Sequence, residues 1–386
     1  METATEGDPG HGSGPVRPVS RHYLDTASTE PLHPAARTTL LAAYERGYAD
    51  PRRLHHEGRD ARLLLDNARA VVADCLGAHP DEVGFTASGT EAVHRGLLGL
   101  VAGPDERAAI VHSTVEHSSV LHAVRWREGR STPVGVDRTG RVDAAELTRV
   151  AGERDVAAVA LQAANQEVGT LQPVDDLDVP RTVALFVDAA AAAGRVPLPR
   201  RWDALAASAH KWGGPAGVGV LAVRRRTPWS SPFPGDEGLD SPGFANVPGA
   251  LAAAAALQAV STDLETVADR QFRQVERIRQ ALAALPDTEV LGDPVARLPH
   301  LVTFSCLYVA GDELVNGLDR RGFAVASGSA CTASTLEPSH VLAAMGALTH
   351  GNVRVSLGRE TSDEEVEAFC AAVTEVVTEI RKGAGL

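Results

Sequence analysis

Lysine is nearly absent from this chain. Of its 386 residues, 37 are lysine or arginine, and only Lys211 and Lys382 are lysines. Aromatic residues are also scarce, at 4% against a hydrophobic share of 44%, so any core has to be built from Ala, Val and Leu. Only four cysteines occur, Cys75, Cys306, Cys331 and Cys370, with no CxxC pair. That is too few for a disulfide framework in a chain this long, and it offers no metal site. The net charge is −13 with no basic stripe, which argues against nucleic acid as a main partner. Apolar stretches such as Leu251–Leu257 fall far short of a bilayer span. The N-terminus is polar and rich in Gly and Pro, unlike a signal peptide, so a soluble, cytoplasmic protein is expected.

Lys382 lies close to the C-terminus. Lys211 lies mid-chain, in Ser208-Ala209-His210-Lys211-Trp212-Gly213-Gly214-Pro215. An amine forms an imine and a guanidinium does not, which makes Lys211 a candidate Schiff-base lysine. Around it, short β-rich runs alternate with helical stretches. Ala108–His112, Val156–Leu161, Val183–Val187 and Val218–Val223 read as buried strands of an α/β core with a mostly parallel sheet. The Ala/Leu-rich run from Gly249 to about Leu285 reads as one long helical connection, stopped by Pro286. Beyond it, Val290-Leu291, Leu301–Leu307, Gly322–Ala326 and Val353–Leu357 read as strands of a smaller α+β unit, closed by a helix over Asp363–Ile380. The expected division is a disordered tail over 1–20 and an N-terminal segment over 21–35 that joins the small domain. A large domain over 36–255 and a small C-terminal domain over 256–386 follow.

Several residues in this frame carry chemistry. Asp188 ends the strand Leu185-Phe186-Val187, where a carboxylate points into the ligand crevice of a parallel sheet or else caps a helix. Ser88-Gly89-Thr90 forms a small polar turn between strand and helix, suited to a phosphate or simply to capping. His117 and His210 can stack on a planar cofactor, move protons, or lie unused at the surface. Arg354, inside a short apolar strand, requires a carboxylate, from substrate or from the protein. Three cysteines sit among apolar residues and are expected to be buried. Cys331 lies instead in a small polar stretch, Ser327-Gly328-Ser329-Ala330-Cys331-Thr332.

In this order, the segments from Tyr23-Leu24-Asp25-Thr26-Ala27 to the C-terminal helix resemble the cysteine desulfurases of the class V aminotransferase group. Two motifs carry most of the likeness: Ser208-Ala209-His210-Lys211, and Ala326–Thr332 followed by Leu336-Glu337-Pro338-Ser339-His340-Val341-Leu342. The resemblance implies the fold type I of pyridoxal-phosphate (PLP) transferases, with a large α/β domain and a smaller α+β domain. It implies PLP on Lys211, with Asp188 on the pyridine nitrogen and His117 stacked on the ring. Gly89, Thr90, Ser208 and His210 would hold the phosphate, and Arg354 the carboxylate of L-cysteine. Lys211 would remove the α-proton and the Cys331 thiolate would attack the substrate sulfur, giving alanine and a persulfide destined for an acceptor protein. A homodimer is implied too.

The chain departs from the family pattern at three places. The family usually has Gln three residues after the Asp, on the cofactor's ring hydroxyl, and this chain has Ala191. A second hydroxyl contact falls on Gln166 or Asn165, and Asn165 also stands as a candidate substrate contact. Phe244 occupies roughly the place of a Thr that reaches the partner subunit's phosphate. Two other readings follow: another PLP lyase or aminotransferase of this fold, such as a selenocysteine lyase, or a non-catalytic sulfur-relay scaffold with a decayed site.

Overall fold

The computed structural model describes residues 20–102, 109–127, 130–234, 238–327 and 338–385. The expected disordered tail therefore lies almost wholly outside the described residues, and so does Cys331. In chain order the elements are β1 (His22–Tyr23), α1 (Pro34–Arg46), α2 (His56–Leu76), β2 (Val83–Thr86), α3 (Gly89–Leu100), β3 (Ala109–Ser113), α4 (Ser118–Trp126), β4 (Ser131–Val134) and α5 (Ala144–Ala151). Next come β5 (Val156–Gln162), β6 (Ala184–Asp188), β7 (Ala204–Ser208), β8 (Gly219–Val223), α6 (Val247–Thr262) and α7 (Leu264–Ala283). The chain continues with β9 (Thr288–Leu291), β10 (Leu301–Cys306), α8 (Gly311–Arg320), β11 (Phe323–Ala324), α9 (His340–Met345), β12 (Asn352–Ser356) and α10 (Asp363–Gly383).

Seven strands form one sheet in the order β2-β8-β7-β6-β5-β3-β4. All neighbours pair in parallel except β8, which runs against both β2 and β7. Consequently β2 runs in the same sense as β7, and the carboxyl ends of β2, β3, β5, β6 and β7 meet at one edge. Side chains alternate across this sheet. Val159, Leu161, Leu185 and Val187 enter one core, with α1, α2 and α6. Ala158, Ala160, Phe186, Ala204 and Ala206 enter the other, beneath α3 and α4. The alanines let α3 sit close to the sheet: a Cβ on Gly96 would lie 2.7 Å from Phe186 Cε2.

The second unit is the antiparallel sheet β12-β10-β9, covered by α7, α8 and α10. The N-terminal strand β1 pairs with β11, and Leu24 joins this core. Two expectations shift here. The run read as one long helix is two helices that meet at Asp263 with a bend of 70°. Ala256, Leu257 and Val260 remain in the large core, so the position expected for the division, after residue 255, lies inside α6. The reason is compositional: α6 is apolar on nearly every side and is buried accordingly, whereas α7 is amphipathic. No single helix among the described residues is long and apolar enough to cross a membrane.

Candidate active site

Each strand ending at the common edge delivers a polar group to one cavity of about 320 Å³. After β2, Ser88 caps α3 by accepting from Glu91 N, which leaves the N–H groups of Gly89 and Thr90 in the first helical turn without an acceptor among the described residues. Gly89 is required there, since a Cβ would lie 2.6 Å from Ser208 Cβ and 2.8 Å from Ser208 Oγ. Ser208 ends β7, and its hydroxyl lies 3.0 Å from His210 Nδ1. Burial and the neighbouring Lys211 push His210 down to about 4, so its imidazole is neutral near pH 7. Two free helical N–H groups, two hydroxyls and a neutral imidazole make a cradle for an anion.

Lys211 follows on the single turn after β7. Its Nζ donates to Ala27 O at 2.6 Å and Ser28 O at 3.0 Å. The turn is closed by Trp212, whose Nε1 donates to Ala253 O, and by Gly213 at φ 82°, a left-handed conformation that favours glycine. Asp188, at the end of β6, is buried, and among the described residues its carboxylate accepts from Ala190 N at 3.0 Å. Burial raises its pKa above the ordinary carboxylate range, while His117 and Lys211 pull it back. His117 caps α4: its Nδ1 accepts from Ser119 N at 3.2 Å and lies 2.7 Å from Ser119 Oγ. A backbone N–H on Nδ1 places the neutral ring's proton on Nε2. Burial lowers the pKa of His117, against the pull of Asp188.

Arg354 enters from the second unit, on β12. Both alternatives for its partner bear on it. One nitrogen, Nη2, already donates to Asp25 Oδ1 at 2.9 Å and Ser28 Oγ at 2.6 Å, and Nη1 donates to Gln166 O at 3.0 Å. Nε has no partner among the described residues, and the side chain still lines the cavity.

Of the expected residues, Gly89, Thr90, His117, Gln166, Asp188, Ser208, His210, Lys211 and Arg354 all line this cavity. Asn165 does not. It is fully buried; its Nδ2 donates to Val115 O and its Oδ1 accepts from Glu167 N and Val168 N. Its amide is spent on shaping the loop that presents Gln166, which does line the cavity. The flanks of the segment carrying Cys331 are both fixed beside the site. Ala326 pairs with Arg354, Ser339 Oγ donates to Glu167 at 2.5 Å, and His340 Nε2 lies 3.0 Å from Glu116 O. Of the remaining cysteines, Cys306 is buried, Cys75 and Cys370 are half-buried, and burial raises the pKa of all three thiols.

Three lining or supporting residues were not anticipated. Gln162 ends β5 directly opposite Asp188 and lines the cavity. The signal was present, a polar residue closing an apolar strand as Asp188 does. Ser28 carries none, because its carbonyl meets Lys211 and its hydroxyl meets Arg354, both far away in sequence. Glu116 is buried behind His117, and burial raises it to about 8, with Asp188 adding to the effect.

A fold type I arrangement with a lysine, a strand-end carboxylate and an anion cradle around one cavity defines a pyridoxal-phosphate transferase class. The chain belongs to the aminotransferase class V family, whose model matches residues 22–369. It is 36% identical over 381 residues to "Cysteine desulfurase" of Cereibacter sphaeroides, covering 94% of this chain and 97% of the relative. It is 31% identical over 374 residues to "Cysteine desulfurase IscS" of Methanosarcina thermophila, covering 93% and 92%. Among solved structures, "NIFS-LIKE PROTEIN" superposes with a TM-score of 0.85 at 28% identity, covering 93% of this chain and 100% of the other.

Proposed function

We propose that the chain is a PLP-dependent cysteine desulfurase that converts L-cysteine to L-alanine, leaves a persulfide on Cys331 and passes that sulfur to an acceptor protein. The observation that carries this reading is the meeting of Lys211, Asp188 and the Gly89 cradle in one cavity. The residues fit the cofactor's parts. The acceptor-free N–H groups of Gly89 and Thr90, with Ser208 and His210, suit the phosphate. The buried carboxylate of Asp188 suits a protonated ring nitrogen, and His117 suits the ring face. When bound, PLP supplies a carbonyl for the amine and a ring that takes up electrons from the substrate carbon.

The chain's own residues do the rest. Lys211 Nζ, held at the cavity by two carbonyls, takes the α-proton of cysteine. Asp188, in a low-dielectric setting, gains from a cation placed against it and would favour a protonated ring nitrogen when PLP is bound. His117 carries its proton on Nε2 and is set to donate. The Arg354 Nη groups meet the substrate carboxylate in competition with Asp25 and Ser28. Cys331 lies outside the described residues, so its role rests on its motif, with both flanks of its segment anchored beside the cavity. The named relatives at 31–36% identity support the substrate.

A homodimer accompanies this reading. Five large apolar side chains that are more than 60% exposed fall between residues 41 and 63: Leu41, Tyr44, Tyr48, Leu54 and Leu63. Such a concentration suits a protein–protein interface. Phe244, 65% exposed, belongs to a neighbouring loop and does not line the cavity.

The test is conversion of L-cysteine to alanine by protein loaded with PLP, with sulfide or acceptor-bound sulfur measured alongside. Cys331→Ala should abolish persulfide formation and leave cofactor uptake intact. Failure of the wild type to take up PLP or to make alanine refutes the proposal.

A further inference from the structure

Behind Ala191 lies a second, much smaller cavity, of about 10 Å³. It shares Gln166, Ala191 and Lys211 with the large cavity and adds Thr26, Arg195 and His300 among its walls. Its size is that of a single water molecule. Two polar atoms on its lining residues are buried without a hydrogen-bond partner among the described residues, His300 Nδ1 and Arg195 Nη1. Both side chains are almost wholly buried. The other terminal nitrogen of Arg195, Nη2, is engaged by Glu30, which leaves Nη1 as the unmet donor. Unmet buried polar atoms are rare in folded proteins, and two of them on side chains that wall one water-sized space point to a water there.

We propose that this cavity holds one ordered water bridging His300 and Arg195, and that this water makes the hydrogen bond to the cofactor's ring hydroxyl that Ala191 cannot make. The inference rests on the PLP reading above. The bonding balances. Arg195 Nη1 donates to the water, the water donates one hydrogen to His300 Nδ1, and its second hydrogen remains for the ring oxygen across Ala191. His300 has to be neutral to accept at Nδ1. Burial, together with Arg195, Arg354 and Lys211 around it, holds its pKa well below the ordinary imidazole range. A methyl group at position 191 is what leaves the space open, because a longer side chain there would fill it. His300 is thus a positioning residue that acts through the water.

The test uses full-length protein stripped of cofactor and titrated with PLP, following absorbance and protein fluorescence. His300→Leu removes the acceptor without adding bulk and should weaken PLP binding about five- to tenfold, the cost of roughly one neutral hydrogen bond. It should also shift the absorption band of the bound cofactor. His300→Asn keeps a polar group for the water and should bind within about twofold of wild type on the same scale. Ala191→Gln should displace the water and supply its own amide, so His300→Leu in that background should cost nothing further. A crystal structure of the cofactor-free wild type should show the water peak, and that of His300→Leu should lack it.

Equal affinity and an unchanged band in His300→Leu would overturn the inference, as would the same loss in both position-191 backgrounds. Absence of the water peak in the wild type would do so too. A wild type that takes up no PLP refutes the proposed function, while the water peak still decides what the cavity contains.

Discussion

Lys211 Nζ is held by the carbonyls of Ala27 and Ser28, 184 and 183 residues away in sequence. An arginine there could keep a positive charge and some of these hydrogen bonds, yet it has no amine to offer a carbonyl. Lys211→Arg should therefore fold and lose the cofactor's absorption band, with turnover down by roughly 10²–10⁴-fold, as for loss of a proton-transfer group. Near-normal turnover in that variant would remove Lys211 from the chemistry. Glu116 gives a different kind of prediction. Burial raises its pKa from 4.5 to about 8, so the folded state keeps a proton that the unfolded chain releases between those values. Stability should fall as pH climbs from 4.5 to 8 and level off above. Glu116→Gln mimics the neutral form and should flatten that slope, making the variant the more stable protein at pH 9 by a few kcal/mol. Urea midpoints across pH read this directly, and parallel slopes for the two proteins would mean that Glu116 is ionised throughout.

The elements show why some of the site could be read from sequence and some could not. Asp188 was legible because a carboxylate ended an apolar run, and the same logic reaches Gln162, its partner in the β5–β6 register. β7 was not legible. Ala204-Leu205-Ala206-Ala207-Ser208 has helix-forming composition, and only its place between β6 and β8 makes it a strand. The break between α6 and α7 was missed for a related reason, since Asp263 is no helix breaker and the bend follows from two faces seeking two cores. Distance in sequence hid the rest. Nothing local reveals that Arg354 meets Asp25, or that His300 borders Ala191. The turn from β2 into α3 was legible as a small polar motif, but its glycine has a reason found only in three dimensions. Gly89→Ala would drive a Cβ to 2.6 Å from Ser208 Cβ, at the end of β7. Overpacking of this kind costs about 1–3 kcal/mol. The variant should show a lowered melting temperature and, because the cradle shifts, PLP affinity reduced at least tenfold; unchanged affinity would take the phosphate away from this turn.

At the scale of the whole molecule, the N-terminal segment ties the two units together at the active site. Leu24 packs in the small core, Asp25 pairs with Arg354, Glu30 engages Arg195 in the large unit, and the backbone between holds Lys211. A cavity built this way depends on the two units keeping their relative position. Helix α1 lies just beyond that segment and buries only Ala36 and Ala43 of its 13 residues, while Leu41 and Tyr44 face outward. In the proposed homodimer these residues, with Leu63 of α2, are covered by the partner, and covering them braces the segment that reaches Lys211. Each such side chain is worth about 1.5–3 kcal/mol when fully buried. The pair Tyr44→Glu and Leu63→Glu should therefore separate the subunits while leaving each fold intact, because both side chains are more than 60% exposed within one chain. Light scattering should show a dimer for wild type and a monomer for the double variant, and PLP affinity should fall with the loss of the partner. A wild type that is monomeric at micromolar concentration would refute the dimer. A monomeric variant with full PLP affinity would show that a single chain keeps the cavity closed without help.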